Sequence, residues 1–234
     1  MQVAILSGGL ATRLRPLSNK VAKAMVEVGG KPFLEHQIQL LARHGIKEFI
    51  LCLGHLASSI QDHFKDGKSW GVRIQYSEDG AELLGTAGAL KKAEALLGKT
   101  FFVLDGDAYL PLDYRELWAI FGSKKESALM VVYKNHDQYD RSNVMVDNGR
   151  VNAYDRSRKA PAMVYIHAGL SLLRREALSL IPSDRPSSQD QLWSQLISRR
   201  ELLSFETSQR FYEIGSLEGL EEFRQLMEKN GRTG

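Results

Sequence analysis

The sequence predicts an α/β fold, a Rossmann-like, doubly wound mixed sheet carrying a strand-rich insertion. Three observations carry this prediction. Apolar runs of strand length, such as residues 2–7 (Q-V-A-I-L-S) and 100–104 (T-F-F-V-L), alternate with helix-length segments through the first half. Those runs are continuously apolar, as a parallel sheet covered on both faces requires. In the second half, Asp147-Asn148-Gly149 divides two short strands and signals a hairpin.

The elements follow in order. Residues 2–7 form the first strand. Residues 33–44 place Phe33, Ile38, Leu40 and Leu41 on a helix that Gly45 ends. A strand at 48–53, a helix at 57–64 and a strand at 72–76 continue the rhythm. A helix at 88–97 stops at Gly98, before strands at 100–104 and 128–133. The hairpin strands are 143–146 and 150–154, and a further strand covers 163–173. Helices at 187–197 and 217–227 close the chain, with 230–234 expected to fray. The β-α-β-α order implies right-handed crossovers.

Composition narrows the function classes. At 234 residues, with 43% hydrophobic residues, the chain suits one domain spanning 1–234 with an ample core. A net charge of +3, dispersed along the chain, argues against nucleic acid as a partner. The single cysteine, Cys52, sits in an apolar run and reads as a buried strand residue. No disulfide can form within one chain, which favours a reducing compartment. There is no apolar run of membrane-spanning length and no N-terminal signal peptide, so a cytoplasmic location without a membrane partner is expected. His36, His44, His55 and His63 read as surface residues without metal spacing, and no Ser-His-Asp arrangement stands out.

The first strand runs into Gly8-Gly9-Leu10-Ala11-Thr12-Arg13-Leu14-Arg15-Pro16-Leu17, with Lys23 following. Paired glycines after a buried strand let backbone N–H groups approach an anion, because no Cβ intervenes. Arg13, Arg15 and Lys23 add positive charge, and arginine can grip phosphate with two hydrogen bonds at once. The pattern predicts a polyphosphate ligand, most simply a nucleoside triphosphate. Neither G-x-x-x-x-G-K-[S/T] nor G-x-G-x-x-G is present at this strand.

Asp105-Gly106-Asp107 follows the T-F-F-V-L strand directly. Ligands of open α/β sheets sit beyond the carboxyl ends of the strands. Two carboxylates there can bind Mg²⁺, which takes one or two carboxylates and completes its shell with water and phosphate oxygens. A polar turn is the simpler alternative. Gly85-Thr86-Ala87-Gly88 is expected to open a helix and to present unpaired N–H groups at its positive end, unless Thr86 merely caps it.

The string G-G-L-A-T-R-L-R-P-L, then Lys23, then G-K-P-F resembles the opening signature of the sugar-phosphate nucleotidyltransferases, or nucleoside-diphosphate-sugar pyrophosphorylases. The resemblance extends to about Phe223. It is greatest to short bacterial guanylyltransferases acting on D-glycero-D-manno-heptose 1-phosphate or mannose 1-phosphate. It implies that an NTP and a sugar 1-phosphate, best GTP and a manno-configured sugar, give an NDP-sugar and pyrophosphate with Mg²⁺ as cofactor. Residues 1–135 would then mainly bind nucleotide and 136–234 mainly sugar phosphate.

The resemblance also assigns roles. Arg13, Lys23 and Asp107 are the implied catalytic residues. Leu6, Gly8, Gly9, Thr12, Arg13, Glu82, Gly85 and Thr86 would bind the nucleotide. Lys23, Gly88, Asp155, Arg156, Ala168 and Gly169 would bind the sugar phosphate. Asp107 and Glu213, the latter in Phe211-Tyr212-Glu213-Ile214-Gly215, would hold the metal. A guanine reader should be a carboxylate or carbonyls near 83–88, with Glu82, Asp79 and Glu78 as candidates.

The chain departs from the family pattern at several of these places. Ala22-Lys23-Ala24 replaces Pro-Lys-Pro, and Glu213 replaces an aspartate. Asp155-Arg156 stands for Glu-Lys, and Asn143 for a glycine. The alternatives are a uridylyltransferase on a gluco-configured sugar, an Asp-x-Asp glycosyltransferase, and a nucleotide-binding relative without turnover. A homodimer is left open.

Overall fold

A computed structural model describes residues 1–9, 21–80, 82–156 and 161–232. Its main sheet has nine strands in the order β5-β4-β1-β6-β11-β8-β12-β10-β9. These are β1 (Gln2–Ser7), β4 (Glu48–Leu53), β5 (Arg73–Glu78), β6 (Thr100–Asp105), β8 (Ala128–Lys134), β9 (Val144–Asp147), β10 (Arg150–Tyr154), β11 (Tyr165–Arg174) and β12 (Leu202–Thr207). Strand β1 pairs in parallel with β4 and β6, and β4 with β5. Strand β11 runs antiparallel between β6 and β8, so the sheet is mixed. Short pairs lie outside it, β2 (Glu27–Val28) with β3 (Lys31–Pro32) and β7 (Ala108–Tyr109) with β13 (Tyr212–Glu213).

Alternation along the strands divides the core into two layers. Val3, Ile5, Phe49, Leu51, Phe102 and Leu104 face one layer. On that side lie α1 (Phe33–Arg43), α2 (Ala57–Phe64), α4 (Tyr114–Gly122) and α6 (Leu217–Arg232). Ala4, Ile50, Cys52, Phe101 and Val103 face the other layer, under α3 (Gly85–Lys92) and α5 (Gln189–Ser198). Because both faces are covered, the interiors of β1, β4 and β6 are continuously apolar. Each fully buried Phe or Leu contributes about 2 kcal/mol through apolar area removed from water.

Most expected elements are present, with shifted ends. Strand β5 runs two residues beyond 76. The expected 88–97 helix is instead α3, starting at Gly85 and ending at Lys92, followed by a 3₁₀ turn at Glu94–Leu96. Helix α5 begins at Gln189 behind a Ser188–Gln191 capping box, so Ser187 is left outside it. Helix α4, with Asp113 as its N-cap, and strand β12 were not anticipated. Cys52 is buried, as expected, and its thiol is pushed up to about 12 by burial and by Asp79.

Candidate active site

Strands β1, β4, β5 and β6 all end at one cavity of about 560 Å³. Leu6, Cys52 and Asp105, in the last two residues of β1, β4 and β6, line it, with Gly8, Gly9 and Asp79 just beyond the strand ends. This is the place where parallel α/β sheets hold their ligands. Thr12 and Arg13 lie outside the described residues, as does Arg15.

The Asp105-Gly106-Asp107 corner is fixed by its backbone. Gly106 N–H donates to Leu6 O at 3.1 Å. A Cβ on Gly106 would stand 2.3 Å from that same oxygen, so no larger residue fits without moving β1 or the turn. From α1, the buried Gln37 amide donates to Ala108 O at 2.6 Å and to Asp105 O at 3.2 Å. Ile214 N–H donates to Asp107 O at 2.9 Å, which ties β13 and Glu213 to the corner. Gln37 was not singled out from the sequence; a polar residue on the apolar face of α1 was the available signal.

Carboxylates crowd the resulting site. Burial first, then the Asp107 charge, pushes Asp105 up to about 7. Glu213 is pushed up to about 8 by burial, Asp107 and Asp105. Cations answer them from two sides. The Lys23 ammonium donates directly to the Asp107 carboxylate. Arg156 Nη2 lies 4.0 Å from Asp105 Oδ2, and its Nε donates to the Tyr154 hydroxyl at 2.6 Å.

Lys23 keeps its position without flanking prolines. Ala22 and Ala24 are buried in the core, 5% and 2% exposed. Ala22 takes φ −56°, a value a proline ring would impose. Packing therefore substitutes for ring rigidity.

A divalent cation fits this site. Among the described residues no group of three or more His, Cys, Asp or Glu side chains is arranged as a metal cage. Mg²⁺-type ions need no such cage, because phosphate and water complete their shell. Asp107 and Glu213 both line the cavity, their mutual repulsion favours a cation, and the Lys23 ammonium already stands against Asp107.

The α3 end behaves differently from expectation. Two of its first amides are already taken: Ala87 N–H and Gly88 N–H both donate to Ser187 O at 3.0 Å. Thr86 does not cap its own helix; its Oγ accepts from Gln189 N–H at 2.8 Å. Gly85 has φ +74°, and an added Cβ would lie 2.6 Å from Ser187 O. The segment is a joint between α3 and α5 that leaves Gly85 and Thr86 on the cavity wall.

Of the residues assigned catalytic, nucleotide, sugar-phosphate or metal roles by the resemblance, Leu6, Gly8, Gly9, Lys23, Gly85, Thr86, Asp107, Arg156 and Glu213 line the cavity. Five do not. Gly88 is buried against Leu84 and Ser187. Glu82 is exposed outside the cavity. Asp155 donates its N–H to Asn143 O at 2.9 Å and does not line the cavity. Ala168 and Gly169 sit in a bulge where β11 changes register against β8, and a Cβ on Gly169 would lie 2.3 Å from Ala108 Cβ. His167 lines the cavity in their place. It is buried and held down to about 3 by burial and by Arg156.

Asn143 also lines the cavity, and its Oδ1 accepts from His167 N–H at 3.0 Å, joining the hairpin to β11. Asp140, Arg141, Ser7 and Gln189 complete much of the wall and were not singled out. They arrive by tertiary packing, which no local pattern encodes. For Gln189 the one local signal was the Ser188–Gln191 capping box, which marks a helix start and not a cavity.

The nucleotidyl transferase family profile matches residues 2–222. The mannose-1-phosphate guanyltransferase 2 of Candida glabrata is 32% identical over 222 residues, covering 92% of this chain. The UTP–glucose-1-phosphate uridylyltransferase of Synechocystis is 30% identical over 202 residues, covering 78% of it. The chain spans about three fifths of the length of the first of these relatives, 61%, and 51% of the second. The crystal structure of HddC from Yersinia pseudotuberculosis complexed with GMP-PN superposes with a TM-score of 0.78, at 26% identity, covering 97% of this chain and 99% of that one. Among the described residues no helix is long and apolar enough to cross a membrane. Members of this family generally use a divalent metal ion. On the match across residues 2–222, this chain belongs to the nucleotidyl transferase family.

Proposed function

We propose that this chain transfers a guanylyl group from GTP to a manno-configured sugar 1-phosphate, releasing pyrophosphate, with Mg²⁺ as the metal. The observation that carries the reading is the cavity's arrangement of charge. Lys23 and Arg156 flank a group of carboxylates at the strand ends, beside the Gly8-Gly9 backbone. The attacking sugar-phosphate oxygen is already anionic, so no protein nucleophile is needed. The barrier lies in bringing two polyanions together, which asks the protein for position and neutralisation. Asp107 and Glu213 would hold the Mg²⁺, which when bound supplies positive charge to the phosphate oxygens. Lys23 and Arg156 would bind and orient the substrate anions, and the Gly8-Gly9 amides would cradle the triphosphate. Arg13 would neutralise the leaving pyrophosphate. Arg13→Ala is expected to lower turnover about a hundredfold while leaving the fold intact.

Asp79 is the residue best suited to read guanine. It follows β5 on the cavity wall, 9% exposed, with Oδ2 accepting from Leu84 N–H at 3.1 Å. Its carboxylate retains capacity to accept from N1–H and the 2-amino group. Glu78 is exposed and takes a hydrogen bond from Gln61 at 2.8 Å, while Glu82 faces solvent. The test is pyrophosphate release from GTP, UTP, CTP and dTTP, each with mannose, manno-heptose, glucose and N-acetylglucosamine 1-phosphates. A sharp preference for GTP with a manno-configured sugar is expected. Preference for UTP with a gluco-configured sugar would defeat the guanylyl reading, and release with no pair would defeat the enzyme reading.

A further inference from the structure

Gln189 opens α5 and lines the cavity while only 4% exposed. Its side-chain Nε2 is buried and has no hydrogen-bond partner. A buried donor left unpaired is destabilising, so a folded protein rarely keeps one without cause. The residue is not free to turn away. Its backbone N–H is fixed to Thr86 Oγ at 2.8 Å. The helix start behind it is locked by the Ser188–Gln191 capping box and by the Ser187 hydroxyl on Gln191 Oε1 at 2.9 Å.

The neighbourhood selects the missing partner. The Gln189 amide lies near enough to Asp105 to bear on its charge, without a well-formed bond to it. A fully ionised phosphate oxygen there has no proton to offer the Asp105 carboxylate. A hydroxyl satisfies both groups: it accepts from the amide and donates to the carboxylate. We propose that the Gln189 side-chain amide is a substrate-reading donor for a ring hydroxyl of a bound sugar. That hydroxyl belongs either to the sugar 1-phosphate or to the ribose of the nucleotide. The inference rests on the nucleotidyl transfer reading and adds a residue to its site.

The test compares wild type with Gln189→Met, which keeps length and removes the donor. Steady-state constants are measured with mannose 1-phosphate and its 2-, 3-, 4- and 6-deoxy analogues, and with GTP and its 2′- and 3′-deoxy forms. Wild type is expected to lose about tenfold in kcat/KM toward one deoxy compound, and Gln189→Met to lose nothing further toward that same compound. Which compound it is tells sugar phosphate from ribose. The KM of the matching substrate should rise about tenfold in the variant with kcat little changed. Ligand-free Gln189→Met should melt about 2–4 °C higher, because an orphaned donor has gone, whereas a purely structural amide would lower the melting temperature on removal. Equal discrimination by both proteins against every deoxy compound overturns the proposal. If wild type turns over none of these pairs, the nucleotidyl transfer reading fails on its own. Calorimetric titration with the same sugar phosphates and nucleotides then decides Gln189 separately, and equal affinities of both proteins for all of them overturn it.

Discussion

Two glycine-marked corners of this molecule look alike in sequence and differ in the folded chain. At the end of β6, Gly106 is pressed against the Leu6 carbonyl, and the two aspartates beside it are left facing the cavity. At the start of α3, Gly85 is pressed against the Ser187 carbonyl, and the amides behind it are consumed by that carbonyl. In both places glycine marks a close approach of two backbones. What differs is what remains for a ligand: a strand end leaves side chains free, whereas a helix start offers N–H groups that another segment can take first. A glycine pattern therefore locates a tight joint, and only the partner of that joint says whether it is a binding site.

The largest break in this comparison comes from the first corner. Asp107→Asn keeps the shape and removes the charge that Lys23 now answers and that a cation would need. Pyrophosphate release should fall about 1000-fold, and chelator should abolish wild-type activity. Unchanged activity in both experiments would make the corner a mere turn. Gly106→Ala should come next. With a Cβ 2.3 Å from Leu6 O, either β1 or the aspartates must move. The expected loss is about 3 kcal/mol of stability by denaturant unfolding, together with about a hundredfold in rate from misplaced carboxylates.

Gly85→Ala sharpens the contrast. Its left-handed φ and the nearby Ser187 carbonyl should cost about 2 kcal/mol, measured in the same unfolding experiment. If the corner is a joint rather than a direct ligand contact, the rate under saturating substrate should drop far less than in Gly106→Ala. A rate loss as large as that of Gly106→Ala with unchanged stability would reverse the assignment.

These corners also explain what was legible in the sequence. The strands β1, β4, β6 and β8 declare themselves because burial on both faces leaves their interiors an unbroken apolar run, with polar residues only at the ends. Asp107 and Glu213 could be placed together only through the family resemblance, since β7 and β13 pair across a separation no local pattern spans. The unpaired amides expected at the start of α3 could not be judged from spacing, because the Ser187 carbonyl that takes the Ala87 and Gly88 N–H groups arrives from far along the chain. Helix α4 carried readable signals, an Asp113 cap and apolar residues at Tyr114, Leu117 and Phe121, which the stronger strand signals on either side overshadowed. Strand β12 is only partly buried and mixes polar with apolar residues, and β8 supplies its order through parallel pairing.

The smallest expected effect concerns His167, which stands against the first corner. His167 is buried between Asp105, Arg156 and Trp193, with Nδ1 3.9 Å from Asp105 Oδ2 and Nε2 3.0 Å from Ser171 Oγ. Burial and the Arg156 charge hold it down to about 3, against about 6.5 for an exposed histidine. The unfolded chain therefore binds the proton first. His167 leaves stability undiminished above about pH 6.5 and subtracts from it progressively as pH falls toward about 3. Asp105 and Glu213 act in the opposite sense, since values raised to about 7 and about 8 let the folded state take up protons first. The wild-type pH profile mixes these contributions, so the informative quantity is a difference. Subtracting the profile of His167→Gln from that of wild type should leave a slope worth about 2 kcal/mol between pH 6.5 and 5. The constant offset from the lost contacts to Ser171 and Leu170 drops out of that slope. A flat difference would mean that the imidazole is already solvated or charged in the folded chain.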